Sequence, residues 1–240
     1  LFASYAQNFA LPAGTDDIFD NAVGFDVEAP EGEEADNYEL GFRTNREHYN
    51  GAVALFYTRF DNRLIASSVI NPATGQPESF YVNAGASKAY GIEFSGVFQP
   101  EMFDRKLYFN ANVSFKKAEL VDGFAGNPAG SQLPDSPEWL MTGGITYEPT
   151  EWLVANFSAK YTDIRYTDFN ETYELESYLV AQAYVDIGGP NNFGMPENIR
   201  LRFNVDNVFD KEVMSFGFTG SSFGRPLSPR TFQATLTVDF

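Results

Sequence analysis

The chain contains no cysteine, which excludes a disulfide framework, a zinc–thiolate cluster and a cysteine nucleophile. It contains one histidine, His48, in the short stretch REHYNG. A single histidine neither completes a metal site nor makes a triad without a nucleophile beside it, so no catalytic residue and no metal ligand set is expected. Positive charge is scarce. Residues 1–42 hold ten Asp and Glu and no Lys or Arg, and the formal net charge is −17. Nucleic-acid binding needs clustered Lys and Arg against phosphate, so no nucleic-acid partner is expected. Long apolar runs are also missing: the longest are a few residues, far short of the roughly 18 that a membrane-spanning helix needs. No basic segment followed by an apolar one comes after Leu1, as a processed or partial chain would show. The Gly-rich stretches GGPNNFG and GFAGNPAGS lack phosphate-loop spacing and read as loops, so no cofactor is expected.

Aromatic residues, by contrast, are abundant, with 24 Phe and 13 Tyr. They sit in segments of sustained alternation, the signature of strands. Ten strands are predicted, at 1–8, 38–45, 52–67, 80–100, 107–121, 138–149, 152–167, 177–187, 198–214 and 228–240. Long connections at 9–37, 68–79, 122–137, 168–176 and 215–227 alternate with turns at 46–51, 101–106, 150–151 and 188–197. A transmembrane β-barrel keeps short turns on the periplasmic side and long loops outside.

The two faces of each strand differ. Leu107, Phe109, Ala111, Val113 and Phe115 oppose Tyr108, Asn110, Asn112, Ser114 and Lys116. Ile199, Leu201, Phe203 and Val205 oppose Arg200, Arg202, Asn204 and Asp206. Arg or Lys facing lipid at the midplane costs about 2–4 kcal/mol, so the charged face is expected to line a lumen and the apolar face to meet lipid. Trp139, Trp152, Tyr147, Tyr161, Phe98 and Tyr90 fall near strand ends, where aromatic girdles belong. The third strand, with VALFYTRF, is apolar on both faces, and its orientation stays open. A water-soluble β-sandwich shows the same alternation and is the alternative fold.

Several segments then carry a resemblance. Tyr38-Glu39-Leu40-Gly41 is similar to a recurrent strand of TonB-dependent receptors, as are LFASYAQNFALP, Asn83-x-Gly85 followed by Gly91-Ile92-Glu93, VDNVFDKE with Val208 in place of the usual Leu, and the closing PRTFQATLTVDF. The chain resembles the C-terminal part of that family over essentially its whole length. The resemblance implies an all-β, antiparallel transmembrane barrel segment in the outer membrane of a Gram-negative bacterium: the last ten of roughly 22 strands. On that reading residues 1–240 are a partial barrel domain with the plug domain absent. It also implies active uptake of a scarce ligand, such as a siderophore, a vitamin-type cofactor or an oligosaccharide, and no enzyme activity. The implied partners are outer-membrane lipid and lipopolysaccharide, the TonB complex through the missing N-terminal region, and the barrel-assembly machinery, which would read the terminal strand at Phe240. The alternative is a complete ten-stranded barrel acting as a pore or an omptin-like enzyme.

Outer loops and the upper lumen are where such a receptor selects its ligand. Arg59 and Arg63 at the top of the third strand, Arg165 and Tyr166 atop the seventh, and Arg225 in the last loop are the candidate ligand contacts; pairing with loop carboxylates is their competing role. The acidic stretch Asp16 to Asp36 is rich enough in carboxylate to consider Ca²⁺, but its spacing fits no known cation loop. Acidic loops weakly disfavour a highly anionic ligand.

Overall fold

The computed structural model describes residues 1–11, 31–70, 75, 77–83, 85–124, 126–190, 194, 196–217 and 224–239, with the backbone alone for 65–70 and 77–82. The acidic stretch from 12 to 30 and Phe240 lie outside the described residues.

Sixteen strands follow in chain order: β1 (Phe2–Ala10), β2 (Glu33–Asn45), β3 (Tyr49–Asp61), β4 (Leu64–Ile70), β5 (Pro77–Asn83), β6 (Ser87–Phe98), β7 (Leu107–Leu120), β8 (Trp139–Thr150), β9 (Leu153–Thr162), β10 (Arg165–Tyr166), β11 (Glu174–Leu175), β12 (Tyr178–Gly188), β13 (Ile199–Asp206), β14 (Met214–Gly217), β15 (Gly224–Pro226) and β16 (Thr231–Val238). Ten of them form one sheet in the order β1-β2-β3-β6-β7-β8-β9-β12-β13-β16. Every neighbouring pair is antiparallel. The other six make three two-stranded ribbons, β4–β5, β10–β11 and β14–β15. The ten strands of the sheet are those the alternation predicts. In β3, β6, β9 and β13 the strand stops short of its predicted bounds because the chain turns inside the alternating run and part of the remainder joins a ribbon, while β16 is trimmed at both ends of the predicted 228–240.

Antiparallel pairing puts the connections 11–32, 62–86, 121–138, 163–177 and 207–230 at one end of the sheet, and 46–48, 99–106, 151–152 and 189–198 at the other. All three ribbons therefore belong to the long-connection end. β1 and β16 are the sheet's outer strands, and among the described residues they are not paired with each other.

Residues directly opposite across an antiparallel ladder share a face. The register lines up Tyr5, Tyr38, Tyr57 and Tyr90 in one row across four strands. Their rings touch in sequence, Tyr5–Tyr38 at 5.1 Å and Tyr38–Tyr57 at 6.3 Å between centroids. Further along the same face, Phe115 pairs with Trp139, with ring centroids 4.7 Å apart. The same face carries a row of small residues, Thr44, Gly51, Gly96, Ala111, Gly143, Ala159 and Ala181, which crosses from the short-turn end of β2 to the loop half of β12. This row structure settles the third strand. Val53, Leu55 and Tyr57 lie on the apolar face, while Phe56 sits on the opposite face with Glu39 and Gly91 across from it.

The opposite face is a set of polar ladders. Thr58 Oγ1 donates to Asn37 Oδ1 at 2.9 Å and Asn156 Nδ2 to Thr146 Oγ1 at 2.8 Å. Arg202 grips Asp186 with two bonds of 2.6 Å, its guanidinium 4.4 Å from the Tyr184 ring centroid. Such bidentate pairs belong beside water, not hydrocarbon.

A β-sandwich would cover the apolar face with a second sheet. Here Leu40, Leu55, Ile92, Phe94, Ile145, Phe157, Phe203 and Leu236 stand exposed on it, and no second sheet covers them among the described residues. The apolar face is therefore a lipid-facing surface, and the charged face lines an interior. Most of the packed core is at the long-connection end: Leu120, Ser87 and Thr167 are the largest fully buried side chains, with Arg165, Leu175 and Tyr178 nearby in burial.

Candidate functional site

The long-connection end carries two groups of tied loops. In the first, Asn83 is the hub. Its Oδ1 accepts from the Glu31 amide at 2.8 Å, and its Nδ2 donates to the carbonyls of Asn62 at 2.7 Å and Glu31 at 3.0 Å. Glu33 accepts from the Leu64 amide at 2.9 Å and lies 3.6 Å from Arg63 Nη1. The β4–β5 ribbon is thereby fastened to the foot of β2. The chain makes this turn because Asn62 takes a left-handed backbone (φ 54°), which Asn tolerates better than most residues.

The second group joins the connections 121–138, 163–177 and 207–230. Arg165 Nε donates to Asp135 Oδ1 at 2.6 Å, and Nη2 donates to the Ser215 carbonyl at 2.6 Å. The Asp135 amide donates back to the Tyr166 carbonyl at 2.7 Å. Asn207, also left-handed (φ 51°) and buried, closes the foot of the last connection. Its Nδ2 donates to the carbonyls of Lys211 (3.0 Å) and Ser228 (2.9 Å), and its Oδ1 accepts from the Lys211 amide at 2.8 Å. Asn207→Ala is expected to cost about 2–3 kcal/mol, because it removes all three bonds and a side chain suited to this backbone. Faster amide exchange confined to 207–230 would confirm this.

The five predicted contact residues are not equivalent. Arg59 shares the outward face with Tyr57, its Nε 3.1 and 3.2 Å from the two Asp61 oxygens. Arg63 lies against the inward Phe60 ring, 4.4 Å from its centroid. Arg165 is buried, with its side chain 3% exposed. Tyr166 is half-buried on β10 opposite Glu174. Arg225 on β15 is exposed, and its guanidinium has no partner among the described residues. Each of Arg59, Arg63 and Arg165 engages a carboxylate: Asp61 at the end of β3, Glu33 at the start of β2 and Asp135 in the connection 121–138. The hubs Asn83 and Asn207 and the Arg165 partners Asp135 and Ser215 are not among the predicted residues. Both asparagines stand in quoted motifs, but nothing local reveals Asp135 or Ser215 as partners of Arg165.

His48 is at the other end. Its Nε2 is 3.0 Å from Glu101 Oε1, and its carbonyl accepts from the Gln99 amide at 2.7 Å. Beside it Arg105 Nη2 bonds Glu47 at 2.5 Å, and this hydrogen bond holds the Glu47 carboxyl below its usual range. These contacts tie two short turns together. Among the described residues no group of three His, Asp or Glu could hold a metal ion.

Comparison with known proteins agrees with this geometry. A family model described as TonB dependent receptor-like, beta-barrel matches residues 1–208. A probable TonB-dependent siderophore receptor, PiuA of Acinetobacter baumannii, is 25% identical over 251 aligned residues, covering 100% of this chain and 31% of that protein. This chain thus spans about a third of the length of the curated relative it matches. Many solved structures share the fold. The copper transporter OprC superposes with a TM-score of 0.75 at 15% identity, covering 99% of this chain and 38% of that one. The ferric yersiniabactin uptake receptor FyuA from Yersinia pestis gives 0.72 at 18% identity, covering 99% of this chain and 34% of that one.

Proposed function

The chain belongs to the TonB-dependent receptor-like β-barrel family, a family of transport receptors and not of enzymes, and from that premise we propose that it forms wall and outer loops of an outer-membrane uptake receptor in a Gram-negative bacterium. One observation carries the reading: a lipid-facing apolar surface backs a charged interior face, and the buried core sits in the loop layer at one end. A protein built this way holds its loops in a fixed arrangement above a polar passage. Further strands would pair with the outer edges of β1 and β16, since unpaired peptide groups in hydrocarbon cost several kcal/mol each. Roughly 22 strands is the size at which such a barrel holds a plug. Plug and TonB contact would come from parts of the receptor outside this chain, and Phe240 would serve as the assembly signal.

The ligand class we favour is a metal ion or its chelate, because the proteins this chain resembles include a probable siderophore receptor, a copper transporter and a ferric yersiniabactin uptake receptor. Arg63, Tyr166 and Arg225 would meet it. Arg59 lies toward the outside of the wall and Arg165 behind the loop surface, so a contact by either requires the loops to rearrange. The test is uptake by cells with and without the gene, using copper and radioactive ferric iron as its citrate, catecholate and hydroxamate chelates. Uptake of at least one probe should vanish with the gene and also with loss of TonB. Uptake that survives loss of TonB would mean a passive pore, and no gene-dependent uptake of any probe would exclude the metal class.

A further inference from the structure

We propose that Arg165 is a positioning residue that makes the connections 121–138, 163–177 and 207–230 one rigid wall of the ligand vestibule; the ligand half of this proposal rests on the uptake reading above. A guanidinium is a planar fork with donors on three nitrogens, so one side chain can hold partners on several sides at fixed angles. Arg165 uses that fork between loops. Nε takes a carboxylate from 121–138, at Asp135, and Nη2 takes a carbonyl from 207–230, at Ser215, while the residue itself belongs to 163–177. Nη1 is buried as well, and the group stands 5.8 Å from the centroid of the buried Tyr178 ring at the top of β12. With its side chain 3% exposed, it meets no solute unless the loops part.

Packing around it runs across the same three connections. Thr167 and Leu175 are buried in 163–177. The backbone of 207–230 comes against them at Gly217, where a Cβ would collide with the Thr167 methyl and stand 3.1 Å from Leu175 Cδ1. The amide of Asp135 closes the third side on the Tyr166 carbonyl. The tie between β4–β5 and the foot of β2 uses a separate hub, Asn83 and Glu33. The two groups meet at Ala86, whose amide donates to Asp122 Oδ2 at 3.3 Å and whose carbonyl accepts from the Val121 amide at 2.8 Å; none of the Arg165 bonds crosses that contact, and Arg165 holds the second group together. Lysine cannot replace it, because an ammonium is a point charge without the fork.

The experiment compares the receptor purified from outer membranes with its Arg165→Met and Arg165→Lys variants by hydrogen–deuterium exchange. Both variants should speed exchange about tenfold or more in all three connections together, leaving 62–83, which is tied through Asn83 and Glu33, and the sheet strands unchanged. Acceleration confined to 163–177, or none, would overturn the proposal. A second readout is uptake of whichever probe, copper or a ferric chelate, the unmodified receptor takes up best. Its KM should rise about tenfold, with the maximal rate within about twofold, since capture geometry is lost while the barrel and its energy coupling remain. Loosened loops with an unchanged KM would reduce Arg165 to a structural strut and overturn the positioning role. If the unmodified receptor takes up neither copper nor any of the chelates, the uptake reading fails, and the exchange pattern alone decides whether the three connections are one unit.

Discussion

Phe157→Arg should destabilise the assembled barrel by about 2–4 kcal/mol, while Ser158→Arg one position along should cost about 1 kcal/mol or less. Phe157 is midway along β9 on the apolar face, opposite Ile145 on one neighbour and Ala183 on the other. All three face outward with nothing over them among the described residues, so a guanidinium there must sit in hydrocarbon or drag water in. Ser158 points the other way, opposite Gly144 and Gln182 in the polar ladders, where an added charge finds water and partners. Urea unfolding of the receptor in lipid, read by tryptophan fluorescence, measures both. A two-residue period explains the contrast and nothing about residue size does, because the introduced side chain is the same.

Gly91→Val should be nearly as damaging, at about 3 kcal/mol, with loss of β6–β7 pairing near the site. Gly91 faces the interior between Phe56 on β3 and Lys116 on β7. A Cβ there would collide with the Phe115 carbonyl oxygen and come within 2.9 Å of Lys116 Cα. Both obstacles are backbone, so no rotamer change relieves them and the ladder itself must open. Gly143→Ala is the matched control. Its nearest obstacle is the Asn110 carbonyl at 3.8 Å, an ordinary contact, so the change should be neutral or stabilising by about 0.5 kcal/mol through the unfolded state. The same urea titration distinguishes the two glycines.

Alternation made the ten sheet strands legible, and mid-strand charges identified the interior face before any pairing was known. The ends of four strands were not legible, because alternation runs on across a turn. In 52–67 the period continues through Asn62, and in 198–214 through Asn207, yet both residues are left-handed and end the strand. Each follows an aspartate, as Asp61-Asn62 and Asp206-Asn207, and that Asp-Asn pair was the available turn signal. β3 resisted orientation because Phe56 and Phe60 stand on its inward face where neighbouring strands carry charge. Only the register, which sets Glu39 and Gly91 beside Phe56, resolves it. Arg165 could be placed at the loop end from sequence, but its role could not. Its partners Asp135 and Ser215 are 30 and 50 positions away, and the contacts exist only because the β8–β9 and β12–β13 pairings bring three connections side by side.

The most direct test of the lipid-facing wall is spin labelling at single introduced cysteines; these 240 residues contain no cysteine, and any cysteine elsewhere in the receptor is first replaced by serine. Labels are placed in turn at positions 155 to 160 along β9 in the receptor reconstituted in bilayers, and their collision rate with dissolved oxygen, which concentrates in hydrocarbon, is measured. Labels replacing Ala155, Phe157 and Ala159 should show the high values, and labels replacing Asn156, Ser158 and Lys160 the low ones. The opposite phase, or a flat profile across all six, would contradict a barrel wall with its apolar face in lipid.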